Sequence, residues 1–394
     1  MTNEKIILRV ENLSKLYGID KYHATALMKE GKDKAEILKR TNVNVALNNV
    51  SLEIPKEKIV TIIGLSGSGK STLIRCFNRL NTETTGAIFF GDKNLKELSK
   101  KELREFRRNK VSMVFQSFAL LSNRNVMQNV AYGLEVKGMG KAERETKAKE
   151  YLTLVGLEDY ENSEITQLSG GMKQRVGIAR ALCNESEIIL MDEPFSALDP
   201  LVKSDLQFEL LQIQRKLNKT IIFITHDIDE AFKLGDYVAI MKDGEIIQYD
   251  TPENMSLNPK TDYVRSFIEN ADKAKILTVK NIMIKPDALI KQTDSVEYAI
   301  HVMKKKAFST VYVINNKLEY KGIVAIKDAI RAKEENLTIK EILNTTEPTV
   351  KSSTLISDIL SLASESNYPL AVVDENNLLE GIVTKSSVLS TLSK

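Results

Sequence analysis

The chain has 394 residues, 42% hydrophobic and 28% charged, which is long enough for two or three soluble, core-forming domains. Its 56 basic residues nearly balance 53 acidic ones, and the net charge of +3 argues against a dedicated nucleic-acid-binding protein. No apolar run approaches the roughly 20 residues that span a bilayer, and the N-terminal residues lack a signal-peptide pattern. We therefore expect a cytoplasmic chain, with Cys76 and Cys183 as buried thiols of a reducing compartment.

The first elements in chain order are strands separated by a charged segment. Residues 5–17 and 45–63 have strand-like patterns, and residues 20–40 between them are charged and helix-like. From residue 64 to about residue 270, apolar strand-like segments alternate with helical ones, which predicts an α/β domain with a largely parallel sheet. Residues 95–180 are mostly helical in pattern and are expected to form a helical subdomain. We place this first domain at residues 1–270.

A short polar segment and an internal repeat follow. Residues 271–276 are small and polar, which is typical of a linker. The segment 311–330 aligns without a gap with 370–389, and their GIV triplets begin at Gly322 and Gly381. Each copy has the pattern helix, strand, turn, strand, helix, and we expect the two copies to pack together. Their predicted limits are 277–333 and 336–394.

The strongest chemical signal is the segment 64–71, GLSGSGKS, which matches the phosphate-binding loop pattern G-x-x-x-x-G-K-[ST]. A strand-like segment precedes it and a helical one follows, so backbone N–H groups and a helix N-terminus would surround phosphate oxygens. Lys70 is expected to reach the β- and γ-phosphates, and the Ser71 hydroxyl to bind Mg²⁺. The predicted phosphate-binding residues are Gly64, Ser66, Gly67, Ser68, Gly69, Lys70, Ser71 and Thr72.

A second signal is the segment 188–193, IILMDE, in which an apolar run ends in two acids. This pattern predicts a buried strand that delivers a carboxylate to the edge of the sheet where open α/β sheets bind ligands. Asp192 is expected to hold Mg²⁺ through water. Glu193 is expected to polarise the attacking water as a general base.

A third signal is the segment 168–175, LSGGMKQR, in which Ser-Gly-Gly opens an apparent helix and forms a second anion-binding N-terminus. At this point the sequence resembles the ABC ATPase family, whose signature reads LSGGQ, with Met172 in place of the glutamine. In that family the signature of one subunit closes over the γ-phosphate held by the other. The resemblance therefore implies a homodimer in which Ser169, Gly170 and Gly171 bind ATP.

The same resemblance covers residues 5–270 and implies roles for four further residues. Gln116 matches the glutamine loop, which senses Mg²⁺ and the attacking water and touches the membrane partner. Asp199 matches the D-loop of the dimer interface, and His226 matches the switch histidine that contacts the γ-phosphate. Tyr17 matches the aromatic residue that stacks on adenine. The implied catalytic residues are Glu193, His226 and Gln116, and the implied Mg²⁺ ligands are Ser71, Gln116 and Asp192.

The insertion at residues 20–41 and the repeat are similar to ATP-binding subunits of glycine betaine/proline (quaternary amine) osmolyte importers. The repeat itself resembles a tandem of CBS domains. The resemblance implies an ATPase that powers import of a compatible solute such as glycine betaine, proline betaine or carnitine. It also implies transmembrane permease subunits, a solute-binding protein or domain, and a peripheral position on the cytoplasmic face of the membrane. The expected fold is an α/β ABC-type nucleotide-binding domain with a helical subdomain, followed by an α/β CBS pair.

CBS tandems usually bind adenine nucleotides, and their copies end in G-x-x-[ST]-x-x-D. The first copy has Asp328, but the second has Ser387 in place of the acid, which argues against ordinary AMP or ATP binding there. Some relatives bind cyclic di-AMP in this module, and we carry that ligand over as a hypothesis. The residues predicted to hold a regulatory nucleotide are Thr310, Asp328, Tyr368 and Thr384. The basic run 304–306 is either a solvated helix face or a contact for anionic lipid.

Three alternatives stay open at this stage. The importer could carry another small solute, such as an amino acid. The chain could be a soluble ABC ATPase of translation or repair, or a nucleotide-sensing regulator timed by its ATPase. Soluble translation types usually carry two ATPase units and repair types a long coiled coil, whereas this chain has one phosphate-binding loop and no sustained heptads.

Overall fold

A computed structural model describes residues 4–196, 198–269 and 273–392, and the contacts divide the chain into two compact units, Met1–Ala271 and Asp272–Lys394. The strands of the first unit are β1 (Ile6–Tyr17), β2 (Asn44–Pro55), β3 (Ile59–Ile63), β4 (Thr85–Phe90), β5 (Lys93–Asn94), β6 (Val111–Val114), β7 (Ile188–Asp192), β8 (Thr220–Thr225), β9 (Tyr237–Lys242) and β10 (Glu245–Asp250). Its helices are α1 (Lys21–Lys29), α2 (Lys34–Thr41), α3 (Lys70–Phe77), α4 (Lys100–Asn109), α5 (Val126–Val130), α6 (Tyr132–Val136), α7 (Lys141–Leu154), α8 (Gly170–Cys183), α9 (Pro200–Leu217), α10 (Ile228–Leu234), α11 (Pro252–Leu257) and α12 (Asp262–Ile268). None of the helices in the described residues combines the length and apolarity needed to cross a bilayer.

The centre of the first unit is a six-stranded sheet in the order β10-β9-β3-β8-β7-β6. The strands β9, β3, β8, β7 and β6 are parallel to one another, and β10 pairs antiparallel with β9. Every residue of β3, β7 and β8 is buried, as expected for parallel strands covered on both faces. This confirms the predicted α/β domain with a largely parallel sheet.

A second, antiparallel sheet has the order β2-β1-β4-β5. The charged segment between β1 and β2 forms two short helices, α1 and α2, as its helix-like pattern predicted. Ala24 of α1 and Ile37 of α2 are fully buried and pack against Leu16, Val43 and Val45 of the flanking chain. The insertion is therefore a small folded element with its own apolar contacts.

The helical segment begins later than the sequence pattern predicted. The range 95–180 contains β6, which pairs with β7 and belongs to the six-stranded sheet. Helix α4 also packs on the sheet domain, where the rings of Phe106 and Phe90 meet at 5.3 Å between centroids. The helices α5 to α8 lie between Val126 and Cys183. A strand of four residues after the charged helix α4 carries too little period-two pattern to be recognised from sequence.

Cys76 and Cys183 are buried free thiols, as predicted. Burial raises the pKa of each thiol to about 12. Because the thiolate is the reactive form, both should stay neutral and unreactive far above physiological pH. We expect iodoacetamide at pH 8 to label neither cysteine in the folded chain and both in denaturant, as read by mass spectrometry. Rapid labelling of either thiol in the folded chain would contradict this burial.

The second unit contains two three-stranded sheets of the same order. Its strands are β11 (Leu289–Lys291), β12 (Thr310–Ile314), β13 (Tyr320–Ala325), β14 (Thr349–Val350), β15 (Leu370–Val373) and β16 (Leu379–Val383). Its helices are α13 (Val279–Ile282), α14 (Val296–Lys306), α15 (Ile326–Glu335), α16 (Ile356–Glu365) and α17 (Lys385–Leu392). In the orders β11-β12-β13 and β14-β15-β16, Val313 pairs with Gly322 and Val372 with Gly381. The matching registers confirm the internal repeat.

The two copies of the repeat share one apolar cluster. Tyr312 and Ile323 of the first sheet pack in it with Ala371 and Ile382 of the second. Each sheet therefore buries one face against the other copy, which confirms the expected packing.

The segment at the start of each copy packs in the core of the other copy. The predicted limits 277–333 and 336–394 divide the two copies in chain order and therefore do not describe this exchange. Ala274 and Leu277 lie in the core of the second sheet, with Val372. Conversely, Ile339 and Ile342 lie in the core of the first sheet. Residues 271 and 272 of the expected linker are outside the described residues. The rest of that segment is not a free linker, because its apolar side chains are buried.

Candidate nucleotide-binding site

Four chemically important segments follow four neighbouring strands of the parallel sheet. The phosphate-binding loop follows β3, His226 follows β8, Asp192 ends β7 and Glu193 comes next, and Gln116 follows β6. Since β3, β8, β7 and β6 are adjacent and parallel, their carboxyl ends meet at one edge of the sheet. This is the edge at which open α/β sheets bind ligands.

Two glycines allow the phosphate-binding loop to approach its neighbours closely. Gly64 has φ +154°, and a Cβ there would lie 2.2 Å from the Met241 carbonyl oxygen. Gly69 has φ +103°, and a Cβ there would lie 2.6 Å from the Ala46 carbonyl oxygen. Neither position has room for a side chain, so the loop conformation depends on glycine.

The Lys70 ammonium is held inside this loop. Its Nζ donates to the carbonyl oxygens of Gly64 at 2.7 Å and Leu65 at 3.1 Å. Burial lowers the pKa of Lys70, whereas the nearby Glu193 and Asp192 carboxylates act to raise it. A desolvated cation held in a loop of backbone N–H groups attracts an anionic ligand strongly.

Asp192 is a buried carboxylate with two polar partners. The Ser71 hydroxyl donates to Oδ1 at 3.1 Å, and Arg75 Nη2 donates to Oδ2 at 3.0 Å. Asp192 is 2% exposed, so these bonds compensate for much of the cost of burying its charge.

Glu193 lies between two neighbouring segments. Gln116 Nε2 donates to Glu193 Oε2 at 2.9 Å, and His226 Nδ1 lies 3.5 Å from the same oxygen. The backbone of Glu193 is left-handed, with φ +47°, and its N–H donates to the Ile224 carbonyl oxygen at 3.1 Å. Such a conformation costs a non-glycine residue about 1–2 kcal/mol, which the surrounding bonds must offset. The strain aims the Glu193 side chain back towards the other segments.

These side chains surround a cavity of about 690 Å³. The predicted residues that line it are Tyr17, Ser66, Gly67, Gly69, Lys70, Ser71, Thr72, Gln116, Glu193 and His226. Gly64, Ser68 and Asp192 lie directly behind this lining, since Gly64 accepts from Lys70, Asp192 accepts from Ser71, and Ser68 is buried in the loop. The structure thus brings most of the predicted ATP and Mg²⁺ residues together.

The remaining predicted residues form two helix N-termini outside this cavity. The Ser169 hydroxyl accepts from the Met172 N–H at 3.3 Å and caps α8. The Asp199 carboxylate accepts from the Val202 N–H at 3.1 Å and caps α9. Ser169, Gly170, Gly171 and Asp199 therefore lie neither in the lining of the cavity nor among the three residues directly behind it.

Gly171 brings these two helix N-termini into contact. A Cβ at Gly171 would lie 2.7 Å from Val202 Cγ1, so we expect Gly171→Ala to lower the free energy of unfolding by about 1–2 kcal/mol. Val202→Ala removes the clashing methyl group and should recover most of that loss in the double variant. Urea denaturation of the four chains of this double-mutant cycle measures the coupling. Additive losses would show that the two residues do not touch.

The oxygen atoms beside the phosphate-binding loop fit a magnesium ion. Ser71, Asp192 and Gln116 offer hydroxyl, carboxylate and amide oxygens, which are the ligands this hard cation prefers. Within the described residues, no cluster of three or more His, Cys, Asp or Glu side chains could hold a metal. The donors therefore suit Mg²⁺ that is also bound by nucleotide phosphates, as is usual for this ion.

The predicted regulatory residues lie at or near the starts of strands and helices in the two copies of the repeat. Asp328 lies in the first turn of α15. In the second copy, the Ser387 N–H donates to Thr384 Oγ1 at 3.0 Å, and the Thr384 N–H donates to Ser387 Oγ at 3.1 Å. Ser387, at the position of the family's acid, thus completes a helix cap. The other two residues are Thr310, buried in β12, and Tyr368, half-buried before β15.

Sequence reasoning missed several residues at the cavity. Arg75, which binds Asp192, lies four residues after Ser71, and this helical spacing could have placed it on the same face. Lys34 of the insertion and Asp243 of the β9–β10 turn also line the cavity, and no local pattern indicated either one. The other unpredicted lining residues are Asn44, Val45 and Ala46.

Comparisons with known proteins agree with this arrangement. Residues 47–196 match the ABC transporter family, and residues 279–335 and 339–394 match the CBS domain family. The chain is 44% identical over 388 residues to the glycine betaine transport ATP-binding protein OpuAA of Bacillus subtilis, covering 98% of this chain and 93% of OpuAA. It is 44% identical to the glycine betaine/carnitine transport ATP-binding protein GbuA of Listeria monocytogenes, covering 98% of this chain and 97% of GbuA.

Solved structures resemble the first unit. The dimeric structure of a bacterial ABC transporter cassette is 33% identical with a TM-score of 0.53, and the match covers 62% of this chain and 98% of that one. The structure of cbiO1 from Clostridium perfringens, part of an ABC transporter complex, is 29% identical with a TM-score of 0.54, and covers 68% and 96%. The motifs, the fold and these relatives agree, and the chain belongs to the family of glycine betaine transport ATP-binding proteins, ABC transporter ATPases with tandem CBS domains.

Proposed function

We propose that this chain powers import of a quaternary amine solute, such as glycine betaine, proline betaine or carnitine, in osmoregulation. The observation that carries the ATPase step is the single cavity in which Lys70 and Glu193 face the same space. The solute class is supported by the relatives, which are ATP-binding proteins for glycine betaine, glycine betaine/carnitine and trimethylamine N-oxide transport. The chain covers nearly the full length of the first two.

The residues around the cavity suggest how ATP is hydrolysed. Lys70 and the loop N–H groups bind the β- and γ-phosphates. Glu193 accepts a proton from the attacking water, while Gln116 and His226, both beside its Oε2 atom, orient the carboxylate and the water. Ser71, Asp192 and Gln116 would hold Mg²⁺, which when bound would neutralise charge on the phosphate oxygens. Tyr17, which lines the same cavity, stacks on the adenine.

A second copy of the chain completes each site in this proposal. Ser169, Gly170, Gly171 and Asp199 lie outside their own chain's cavity, and Ser169 and Asp199 cap helices whose N-termini favour an anion. In a head-to-tail dimer, the N-terminus of α8 binds the γ-phosphate held by the partner. Closure around ATP moves the Gln116 segment, and that movement drives the membrane subunits between inward-facing and outward-facing states.

The proposed transport function also requires partners at the membrane. The chain works at the cytoplasmic face of the membrane with transmembrane permease subunits and a solute-binding protein or domain. Lys304, Lys305 and Lys306 are exposed in the last turn of α14, where the helix dipole already favours cations. We include them as a contact for anionic lipid, which salt would screen over a Debye length of about 10 Å at 0.1 M.

The CBS pair is proposed to bind a regulatory nucleotide, with cyclic di-AMP as the candidate, through Thr310, Asp328, Tyr368 and Thr384. Calorimetric titration of the full chain with cyclic di-AMP and with AMP tests this. Saturable cyclic di-AMP binding that weakens in Asp328→Asn supports the proposal. Binding of neither nucleotide would contradict it and leave the ATPase assignment untouched.

An uptake experiment tests the transport function. The chain is co-expressed with its permease in cells that lack osmolyte uptake, and entry of labelled glycine betaine is followed at high osmolarity. We expect uptake that competing carnitine reduces and that Lys70→Ala abolishes. Competition by an amino acid alone would favour an importer of that solute instead. Failure of the chain to co-purify with any membrane protein would favour a soluble ABC ATPase.

A further inference from the structure

The helical insertion reaches the nucleotide cavity through one side chain, Lys34. This residue opens α2, whose start is fixed because the Asp33 carboxylate accepts from the Glu36 N–H at 2.7 Å. The helices are anchored to the flanking strands by the buried side chains of Ala24 and Ile37. The insertion therefore holds the backbone of Lys34 in a fixed position beside the cavity.

A single residue, Gly244, lies between the Lys34 ammonium and the phosphate-binding loop. The Lys34 Nζ atom lies close to the backbone of Gly244, since a Cβ built on this glycine would be 2.7 Å from Nζ. The Gly244 N–H in turn donates to the Ser68 carbonyl oxygen at 2.9 Å. Lys34 also shares the cavity wall with Tyr17 and Asn44, which approach from the ends of β1 and β2. The Lys34 ammonium thus lies beside the phosphate-binding loop, in the cavity that Tyr17 also lines.

This ammonium has no acceptor among the described residues of the chain, neither a hydrogen-bond partner nor a carboxylate at ion-pair distance. Burial lowers the pKa of Lys34, and the more distant Asp243 and Glu245 carboxylates only partly counteract this. A partly desolvated group with three donors and no acceptor is costly to keep. Its position is explained if a ligand in the cavity supplies the acceptor.

We propose that Lys34 is a nucleotide-binding residue, whose ammonium donates hydrogen bonds to the ribose and α-phosphate of the bound nucleotide. The proposal rests on the ATP site described above. In the proposed site Lys70 serves the β- and γ-phosphates and Tyr17 the base, so the ribose and the α-phosphate are the parts of the nucleotide left without an assigned partner. An ammonium there adds affinity through charge-assisted bonds that involve neither hydrolysis nor the dimer partner.

Equilibrium binding of ATP and ADP to the full chain, with magnesium chelated to prevent turnover, tests this assignment. Lys34→Met keeps the length of the side chain and removes its charge and donors. We expect it to raise the Kd about tenfold for ATP and by the same factor for ADP, because both contain the ribose and α-phosphate. Lys34→Arg keeps a cation and should stay within about threefold of the parent.

The matched control is Lys39→Met, which removes an exposed lysine from the same helix outside the cavity. It should bind both nucleotides like the parent. Parent-like binding by Lys34→Met would overturn the proposal while leaving the ATP site intact, and a loss for ATP alone would overturn the assigned contact. A parent chain that binds neither nucleotide would overturn the proposed function as well.

A structural role for Lys34 makes a different prediction. If the side chain stabilised the fold, Lys34→Met would unfold at a lower urea concentration in the absence of nucleotide. Since its ammonium is desolvated and without an acceptor, we expect an equal or higher midpoint instead. A lowered midpoint together with weaker binding would overturn the direct contact.

Discussion

Glu193→Gln is expected to reduce ATP hydrolysis by about 10²- to 10⁴-fold while leaving ATP affinity within about twofold of the parent. The amide has the size of the carboxylate and can still meet Gln116 and His226, but it cannot accept a proton from water. Phosphate release measures turnover, and calorimetry measures affinity. Because Lys70 and the phosphate-binding loop hold the nucleotide, turnover should fall while ATP affinity stays nearly unchanged.

The matched control is Glu187→Gln, at the opposite end of the same strand. Glu187 immediately precedes β7 and pairs with Lys110 on the surface. Its amide variant should hydrolyse ATP like the parent. Normal hydrolysis in Glu193→Gln, or an equal loss in both variants, would contradict the assigned general base.

Gly64→Ala is expected to lower the free energy of unfolding by about 3 kcal/mol and to abolish nucleotide binding, by combining a steric clash with an unfavourable backbone conformation. The new Cβ would lie 2.2 Å from the Met241 carbonyl oxygen at φ +154°. Either the loop or β9 must move, and Lys70 loses its position with the Gly64 carbonyl. The chain has no tryptophan, so urea unfolding is followed by circular dichroism.

Gly91→Ala separates the two causes. Gly91 also has a positive φ, +55°, but nothing lies within 4 Å of its Cβ position. It should cost only about 1 kcal/mol for the left-handed conformation and leave nucleotide affinity unchanged. If Gly64→Ala lowered the free energy of unfolding no more than Gly91→Ala, the close contact between Gly64 and the Met241 carbonyl oxygen would be wrong.

The parts of the site that could be predicted are those set by local spacing. The phosphate-binding loop lies between a strand and a helix in sequence, so its context was readable without the fold. Asp192 and His226 each follow an apolar run, and parallel strands must bring their ends to one edge. The grouping of these residues in one cavity follows from that rule alone.

Other features depend on contacts that no single segment encodes. Lys34 and Asp243 are more than two hundred residues apart in the chain, and they meet only because β2 and β10 bring their neighbours together. The start of the helical segment was misplaced because β6 has four residues, and its identity as a strand comes from pairing with β7. Packing partners of this kind override local propensity.

The exchanged segments of the second unit have a consequence for its synthesis. Ala274 and Leu277 are synthesised at the start of the second unit, well before their partners Val372 and Val383. Contacts between such distant positions form slowly, since a long loop must close first. The first CBS copy therefore emerges without the surface that covers its leading segment. The tandem can complete its packing only after Val372 and Val383 have been synthesised, and a nascent chain stalled between the two copies would expose apolar side chains to chaperones.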